Sequence, residues 1–288
     1  MTRDWRTPLE IVLLGAIWGG SFLFMRIAAP HFGPLPLVEV RVMLGALLLS
    51  PFLWRARKQL DAAHWRRLAV VGVLNSAIPF SLFAWGAERA PAGIGAIANS
   101  MTVLFTALIA FVFYGERIGT RRAMALISGF VGVVVLASGR TAGDNIMLAA
   151  IAGTLASFCY GIAVNLTKRK LGDLQPVVGV AGTLSCSALM LAPFAFATWP
   201  ADSVPASSWL AAIALGVVCT GFAYFLFFRL IQRISATRAA TCNYLIPVFG
   251  VGWAWLLLGE TPTSTMLVSG ALILGSVIFS QREPARRA

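Results

Sequence analysis

The sequence predicts an all-α integral membrane protein of ten transmembrane helices, arranged as two inverted repeats of five helices each. Three observations support this prediction. Hydrophobic residues make up 58% of the 288-residue chain and charged residues only 12%, about half the charged share of a soluble domain. The apolar residues fall in long blocks, and one phrase of the sequence occurs twice, half the chain length apart. The basic residues lie mainly in every second connection between the blocks.

The predicted helices follow from the lengths of the apolar blocks. An α-helix rises about 1.5 Å per residue, so roughly 20 apolar residues cross a bilayer. The first block follows the basic segment "MTRDWR" and has some features of a signal peptide. Its apolar part is long for a signal peptide and nine more blocks follow, so we interpret it as an uncleaved first helix. In chain order, the predicted spans are 9–29, 36–54, 67–87, 91–114, 121–139, 145–167, 174–197, 207–230, 235–258 and 263–281.

The positions of the basic residues predict the orientation of these spans. Of the 23 Lys and Arg residues, 19 lie in the two termini and in the connections after the second, fourth, sixth and eighth spans. The opposite side holds only Arg89 and Arg140, and Arg26 and Arg41 lie within or near the first two spans. Positively charged connections stay in the cytoplasm, which predicts that both termini are cytoplasmic. Topology therefore explains the net charge of +12, and the pattern excludes a nucleic-acid-binding domain.

The repeated phrase divides the chain into two related halves, residues 1–143 and 144–288. "NSMTVLFTALIAFVFYGE" runs from Asn99 to Glu116, and "NYLIPVFGVGWAWLLLGE" runs from Asn243 to Glu260, 144 positions later. Because each half has an odd number of helices, the second half is inverted in the membrane relative to the first. Inverted repeats are typical of secondary transporters, in which two related halves open a midplane site to alternate sides of the membrane. The repeat therefore predicts transport, although duplication is also compatible with shared ancestry alone.

The order of several short motifs resembles that of a known family. "AIWGGSF" lies in the first span, Arg41 lies early in the second, and Gly-Glu ends the fourth and ninth spans. Together these motifs resemble the EamA type of the drug/metabolite transporter superfamily over essentially the whole chain, and the sequence is similar to amino-acid exporters of the YddG kind. The resemblance implies export of amino acids, aromatic and other neutral ones, across the bacterial inner membrane. It also implies a central cavity lined by the first, third, fourth, sixth, eighth and ninth helices.

Polar and aromatic residues within the spans are the candidates for a substrate site. Polar side chains in a membrane helix are costly in hydrocarbon, so they usually face the bundle interior or a water-filled cavity. Side-chain amides can hold a carboxylate or an ammonium group, and aromatic rings can stack a substrate or attract a cation. Hydrogen bonding between helices and plain ring packing are the alternatives at each position. The expected residues of the central site are Trp18, Ser21, Asn75, Pro79, Asn99, Tyr160, Tyr224 and Asn243.

Four further residues are assigned structural or gating roles. Each proline within a span removes a backbone hydrogen bond and kinks its helix, which frees a carbonyl group. An arginine within a span snorkels outward or bonds carbonyl groups, with substrate binding as the alternative. The Gly-Glu pairs end two helices at equivalent places in the two halves. The four residues are Arg41, Glu116, Pro247 and Glu260.

The acidic residues bear on energy coupling. Glu10, Glu39, Glu88, Glu116 and Glu260 are all expected at or near helix ends. Arg26 and Glu39 are both expected at the outer ends of the first two spans, which predicts a local ion pair. A proton-coupled drug pump normally keeps a titrating carboxylate near the centre of a span. The lack of such a residue predicts facilitative transport.

The sequence predicts no cofactor and no metal site. The four cysteines lie within spans without CxxC spacing, so we interpret them as packing residues. We expect a monomer whose partners are a small-molecule substrate and the lipid bilayer, without nucleic acid. A multidrug transporter of cationic compounds is an alternative that would need an acid within the membrane. An intramembrane lipid-modifying enzyme is a second alternative, which would need a catalytic cluster at one interface.

Overall fold

The chain folds as a bundle of long helices. A computed structural model describes residues 6–139, 145–234 and 236–281, and these ranges contain no β-strand. Arg140 and the predicted boundary between the halves at residues 143 and 144 lie outside the described residues. In chain order, the helices are α1 (Arg6–Phe32), α2 (Pro34–Ala56), α3 (Ala62–Ala87), α4 (Ala92–Tyr114), α5 (Thr120–Ala137), α6 (Ile146–Lys170), α7 (Pro176–Ala197), α8 (Ala206–Arg233), α9 (Ile246–Leu258) and α10 (Ser264–Gln281).

Eight of these helices, α1 to α8, are long and apolar enough to cross a membrane. The helices α9 and α10 are apolar as well, and α9 has only 13 residues. The chain leading into α9 winds as a short helical turn, Ala236–Ala239, followed by a 3-10 turn, Ala240–Tyr244. The predicted all-helical, multi-pass membrane fold is confirmed.

Large apolar side chains cover the outside of the bundle. Leu189 is 76% exposed, Phe196 is 74% exposed and Phe113 is 70% exposed. A soluble protein would not present so many large apolar side chains to water, whereas a bilayer solvates them. The exposed surface of the helices is therefore the lipid-facing surface.

Two pairs of helices pack closely along each other. The helix α5 packs along α10, and α2 packs along α7. Small residues allow such close approach between membrane helices. A Cβ atom added at Gly132 of α5 would lie 2.6 Å from Ile273 Cγ1 of α10. The remaining helices pack around the interior of the bundle, where α1 contacts α8 and α9 while α3 and α4 contact α6.

The helices α3, α8 and α4 and the segment before α9 depart from α-helical geometry. These four irregular segments form two pairs, and the members of each pair correspond at the 144-residue offset. A π-helical turn covers Val73–Ala77 in α3, and a second covers Ala214–Phe222 in α8. The helix α4 is interrupted between its segments Ala92–Asn99 and Met101–Tyr114, and the 3-10 turn Ala240–Tyr244 precedes α9. Such departures from the α-helix within a membrane are tolerated where the backbone lines protein or a cavity.

Proline explains two of these four irregularities. Pro79 and Pro247 each lie in the first turn of the regular helix that follows the irregular segment. Proline has no N–H group, so it cannot donate to the carbonyl oxygen four residues earlier. The two carbonyl groups that lose this helical donor belong to Asn75 and Asn243.

A glycine ends α4 and another ends α9 in the same way. Gly115 and Gly259 have φ values of 67° and 69°, in the left-handed region that glycine adopts without strain. The following residues, Glu116 and Glu260, then donate their backbone N–H groups to Ala110 and Ala254, at 3.1 and 3.2 Å. The Gly-Glu pairs of the sequence are therefore helix ends that direct a carboxylate away from the helix axis.

Candidate functional site

A cluster of aromatic and polar side chains occupies the interior of the bundle between α1, α2, α3, α6 and α8. The ring of Trp18 lies 6.0 Å from that of Tyr224 and 5.4 Å from that of Phe227, measured between centroids. The ring of Tyr160 lies 6.4 Å from that of Phe80. These rings come from the four helices α1, α3, α6 and α8, so the cluster depends on the tertiary fold.

Arg41 of α2 lies at the centre of this cluster. Its side chain is buried, and its Nε donates a hydrogen bond of 3.0 Å to Thr220 Oγ1 in the π-helical turn of α8. Its guanidinium carbon lies 3.7 Å from the centre of the Phe80 ring, and Nη1 lies 3.8 Å from Met25 Sδ. Tyr160 and Tyr224 are close enough to interact electrostatically with the guanidinium group. No carboxylate of the described residues lies within 4.0 Å of Arg41.

Three other side chains expected at this site lie next to members of the cluster. Asn75 lies beside Tyr224, and Ser21 lies beside Cys219, which also interacts electrostatically with Arg41. Pro79 is buried and directly precedes Phe80. Six of the eight expected residues therefore lie in or next to one cluster, namely Trp18, Ser21, Asn75, Pro79, Tyr160 and Tyr224.

Asn99 and Asn243 lie at the helix interruptions of α4 and of the turn before α9. Both are half-buried. Within the described part of the chain, neither amide makes a hydrogen bond to a member of the Arg41 cluster.

A polar face of α4 runs from Asn99 toward Glu116. Asn99, Thr102 and Thr106 follow one another at spacings of three and four residues, which places them on one face of a helix. All three are half-buried, and a polar face of this kind is costly when it faces lipid. We conclude that this face of α4 points into the bundle.

A fourth amide of the membrane region, Asn165, has a structural role. Its Nδ2 donates to Thr106 O of α4 at 3.0 Å and to Gly161 O of its own helix at 2.9 Å. The bond to Thr106 holds α6 against α4. The two backbones approach closely here, because a Cβ at Gly161 would lie 2.8 Å from Phe105 C.

An ion pair bridges the helices at one end of the bundle, which we call the Glu260 end. This end is formed by the C-terminal ends of α1, α3 and α9 and the N-terminal end of α4. Arg26 Nε donates to Glu260 Oε1 at 2.8 Å, and Arg26 Nη1 donates to Ala87 O at 2.8 Å. The other carboxylate oxygen of Glu260 accepts from the Ala92 N–H at 2.8 Å. The Arg26–Glu260 pair thus connects α1, α3, α4 and the C-terminal end of α9.

A second set of ion pairs lies at the opposite end, which we call the Glu116 end. This end contains the C-terminal ends of α4, α6 and α8 and the N-terminal end of α1. Arg169 Nη2 donates to Glu116 Oε1 at 2.9 Å, with both side chains substantially exposed. Glu10 of α1 pairs with Arg233 and, at 3.5 Å, with Arg229, both on α8. The Arg169–Glu116 pair joins α6 to α4, just as the Arg26–Glu260 pair joins α1 to α9.

The predicted ion pair between Arg26 and Glu39 is wrong. Arg26 contacts Glu260, which the fold brings from the far end of the chain. Glu39 lies six residues into α2 and is 8% exposed, and its Oε2 has no hydrogen-bond partner among the described residues. The sequence predicted that Glu39 lies at the end of a helix beside a counter-ion. The structure instead buries this carboxylate within α2.

Sequence reasoning did not identify Phe80, Cys219 and Thr220 as members of the central cluster. The 144-residue offset contained the necessary signal, because it pairs Asn75 with Cys219 and Ser76 with Thr220. Both pairs lie within the two π-helical turns. A residue-by-residue alignment of the two halves would therefore have added Cys219 and Thr220 of α8 to the candidate site.

An apolar groove lies apart from this cluster. It has a volume of about 960 Å³ and is lined by residues of α2, α3, α6 and α7, including Leu82, Trp85, Leu155 and Phe194. None of the eight expected site residues lines it. Its apolar walls identify it as a lipid-facing feature of the surface.

Comparison with known proteins identifies the family of the chain. Residues 7–138 match the EamA-like transporter family, and residues 147–281 match it a second time. The chain belongs to this family. EamA-like membership makes the protein a membrane transporter of small molecules and not an enzyme.

Relatives of this EamA-like chain cover nearly its whole length. It is 26% identical over 285 residues to a Salmonella typhimurium protein named a probable amino-acid metabolite efflux pump, covering 93% of this chain and 92% of that one. It is 25% identical over 290 residues to a probable terminal-alkyne amino-acid exporter of Streptantibioticus cattleyicolor, covering 96% and 94%. A crystal structure with 20% sequence identity has the same fold, with a TM-score of 0.65 over 99% of this chain and 100% of its own.

Proposed function

We propose that this EamA-like protein is a secondary transporter that exports small metabolites, above all aromatic and other neutral amino acids, across the bacterial inner membrane. The observation that carries the proposal is the buried cluster around Arg41, in which hydroxyl, amide and aromatic groups of several helices converge. Such polar groups are costly within a membrane unless they serve a ligand, an ion or a helix contact. The names of the relatives from Salmonella typhimurium and Streptantibioticus cattleyicolor support amino acids as the substrate class.

The transporter works by alternating access between two inverted halves of five membrane-spanning helices each. Four observations at the 144-residue offset support this arrangement: the paired π-helical turns, the paired helix interruptions, the paired Gly-Glu helix ends and the paired family matches. Discontinuous helices near the midplane are a recurrent feature of secondary transporters. The central site borders Trp18, Ser21, Asn75, Pro79, Tyr160 and Tyr224, with Asn99 and Asn243 on the path to it.

The ion pairs at the two ends of the bundle serve as gates. At the Glu260 end, α4 residues Ala92, Ile94 and Ala96 are all buried, and the Arg26–Glu260 pair connects four helices. At the Glu116 end, Thr102 and Thr106 of the same helix are half-buried and the Arg169–Glu116 pair is largely exposed. This difference supports a conformation that is closed at the Glu260 end and accessible from the Glu116 end. The basic connections make the Glu116 end cytoplasmic, with both chain termini on that side.

The transported amino acid moves down its own concentration gradient, and the protein acts as a monomer without a cofactor. No carboxylate of the described residues lies within 4.0 Å of Arg41, so no acidic group is paired with this arginine to exchange a proton for substrate. A second candidate function is efflux of cationic compounds coupled to protons. The buried, unpartnered carboxyl of Glu39 is the observation that favours it.

Uptake by purified protein in liposomes tests the proposal. Neutral amino acids, acidic amino acids and cationic dyes are presented separately, with and without imposed proton or sodium gradients. We expect uptake of neutral amino acids, fastest for aromatic ones, and no uptake of the dyes. If only the dyes are taken up, and only with a proton gradient, the protein is a proton-coupled exporter of cationic compounds and not an amino-acid exporter.

A further inference from the structure

We propose that the guanidinium group of Arg41 binds the carboxylate of the transported molecule and thereby selects substrates that carry one. This inference rests on the proposed function and names the group that recognises its substrate. Arg41 is 6% exposed, and arginine stays charged at every physiological pH. The position therefore holds a permanent positive charge inside the bundle.

The surroundings of Arg41 leave that charge without a partner of opposite sign. Its hydrogen-bond acceptors among the described residues are a neutral hydroxyl, Thr220 Oγ1 at 3.0 Å, and a weak thioether acceptor, Met25 Sδ at 3.8 Å. The Nη2 group has no hydrogen-bond acceptor within the described part of the chain. A buried cation without a counter-ion is strongly unfavourable. An anionic ligand removes that penalty each time it binds.

The geometry around the guanidinium group fits a planar carboxylate. Phe80 covers one face of the guanidinium plane at 3.7 Å, and the bond from Nε to Thr220 fixes the orientation of that plane. Nη2 has no acceptor among the described residues and Nη1 has the weak acceptor Met25 Sδ, so both can turn to a carboxylate, which arginine binds through two hydrogen bonds. Tyr160 and Tyr224 lie near the same group.

A second polar group at this position also lacks a partner. The Ser21 hydroxyl is 4% exposed and has no hydrogen-bond partner among the described residues. It lies beside Cys219, which interacts electrostatically with Arg41. A buried hydroxyl without a strong hydrogen-bond partner is unfavourable unless a ligand or water satisfies it. The neighbour of the Ser21 hydroxyl is thus a thiol, which is a weak hydrogen-bond partner, and a ligand oxygen beside Arg41 would be a stronger one.

The rings of the cluster supply the rest of the recognition. Trp18 and Tyr224 lie 6.0 Å apart in an edge-to-face arrangement, and Tyr160 lies between Phe80 and Phe83. Aromatic rings of this kind favour an apolar or aromatic side chain on the substrate. The substrate class that fits is a small carboxylate with an apolar or aromatic side chain.

The test compares three probes of matched size with the purified full-length protein in liposomes: phenylalanine, phenylalaninamide and phenethylamine. We expect transport of phenylalanine and at least about tenfold slower transport of the two probes that lack a carboxylate. Arg41→Gln should lower phenylalanine transport at least about tenfold, and Arg41→Lys should lower it less, because lysine keeps the charge and loses the planar fork. Arg57→Gln is the matched control. Arg57 also stacks on a ring, at 4.1 Å from that of Trp54, but it is exposed.

Thermal unfolding separates ligand binding from a structural role. Arg41→Met removes the unpaired charge, so we expect its melting temperature without ligand to equal or exceed that of the wild type. Benzoate should raise the melting temperature of the wild type and leave that of Arg41→Met unchanged. A lowered melting temperature of Arg41→Met, with stabilisation by benzoate retained, would overturn the proposal.

The outcomes distinguish this proposal from the proposed function. If no amino acid is transported but benzoate still stabilises the protein through Arg41, the amino-acid assignment fails and the carboxylate site stands. If amino acids are transported and phenylalaninamide moves as fast as phenylalanine, the exporter stands and the role of Arg41 is refuted.

Discussion

Arg26 and Glu260 are separated by 234 residues in the chain, and their side chains meet at 2.8 Å at the Glu260 end of the bundle. Neither side chain is fully exposed, and both make further bonds to backbone atoms of α3 and α4. An ion pair that is partly buried and hydrogen-bonded on both sides is disrupted at a larger cost than an exposed pair. This pair is therefore the strongest polar connection described between the first and ninth helices.

Removal of the charge on Glu260 should open the Glu260 end. In the variant Glu260→Gln, the amide keeps the size of the side chain but loses the charge that holds Arg26 and the Ala92 N–H. We expect faster labelling of a cysteine introduced at Ser100 by a thiol reagent added from that side, in a protein without its four native cysteines. Glu88→Gln is the control, since the ion-pair partner of Glu88 among the described residues is its neighbour Arg89. Equal labelling in both variants would show that the pair does not close this end.

The exposed pair at the Glu116 end should affect transport more than stability. Arg169 and Glu116 are 35% and 46% exposed in their side chains, and a pair so exposed contributes about 1 kcal/mol or less. We expect Glu116→Gln to leave the melting temperature nearly unchanged while lowering the transport rate several-fold, because the pair joins α4 to α6 at an end that opens and closes during transport. A transport rate equal to that of the wild type would remove the Arg169–Glu116 pair from the gating scheme.

Replacement of Asn99 or Asn243 by leucine should lower transport much more than stability. These two amides are half-buried at helix interruptions, so their loss changes the path to the site while leaving the packed core intact. Asn165→Leu is the matched control, because Asn165 makes two hydrogen bonds between and within helices. We expect Asn165→Leu to lower the melting temperature and to keep transport per folded molecule. The reverse pattern, with stability lost at Asn99 or Asn243, would assign these residues to helix packing.

Transport should continue in the absence of any ion gradient. The carboxyl group to test is that of Glu39, which is buried and has an unpartnered oxygen. We expect equal initial rates in proteoliposomes with and without an imposed pH gradient, and the same result for Glu39→Gln. A strict requirement for the gradient in the wild type, lost in Glu39→Gln, would make Glu39 the proton-carrying group.

Reporter fusions should place both ends of the chain in the cytoplasm. Fusions after residue 60, after residue 170 and at the C-terminus follow basic segments and should give cytoplasmic signals. A fusion near residue 203 should give a periplasmic signal. A periplasmic signal after residue 170 would contradict the orientation and the inverted arrangement together.

The sequence predicted the membrane fold well because hydropathy is a local property. The C-terminal ends of the two spans ending in Gly-Glu were predicted correctly, since a left-handed glycine marks a helix end directly. The start of the ninth span was predicted at residue 235, whereas α9 begins at Ile246 after the 3-10 turn. The members of the Arg41 cluster were only partly predicted. Asn75 and Tyr160 are recognisable as polar or aromatic residues within a span, but the position of Arg41 depends on which face of α2 the other helices cover. The Arg26–Glu260 pair was missed because local ion pairs are visible in sequence and pairs across the whole chain are not.

The order in which the chain is synthesised gives the Arg41–Thr220 bond a further meaning. Arg41 enters the membrane with the second helix, whereas Thr220 is made 179 residues later. Among the described contacts of the guanidinium group, those from the first half are with Met25 and Phe80. A nascent chain of five helices therefore carries a charged side chain whose hydroxyl partner has not yet been made. We expect a chain truncated after the fifth helix to be degraded faster in the membrane than the full-length chain.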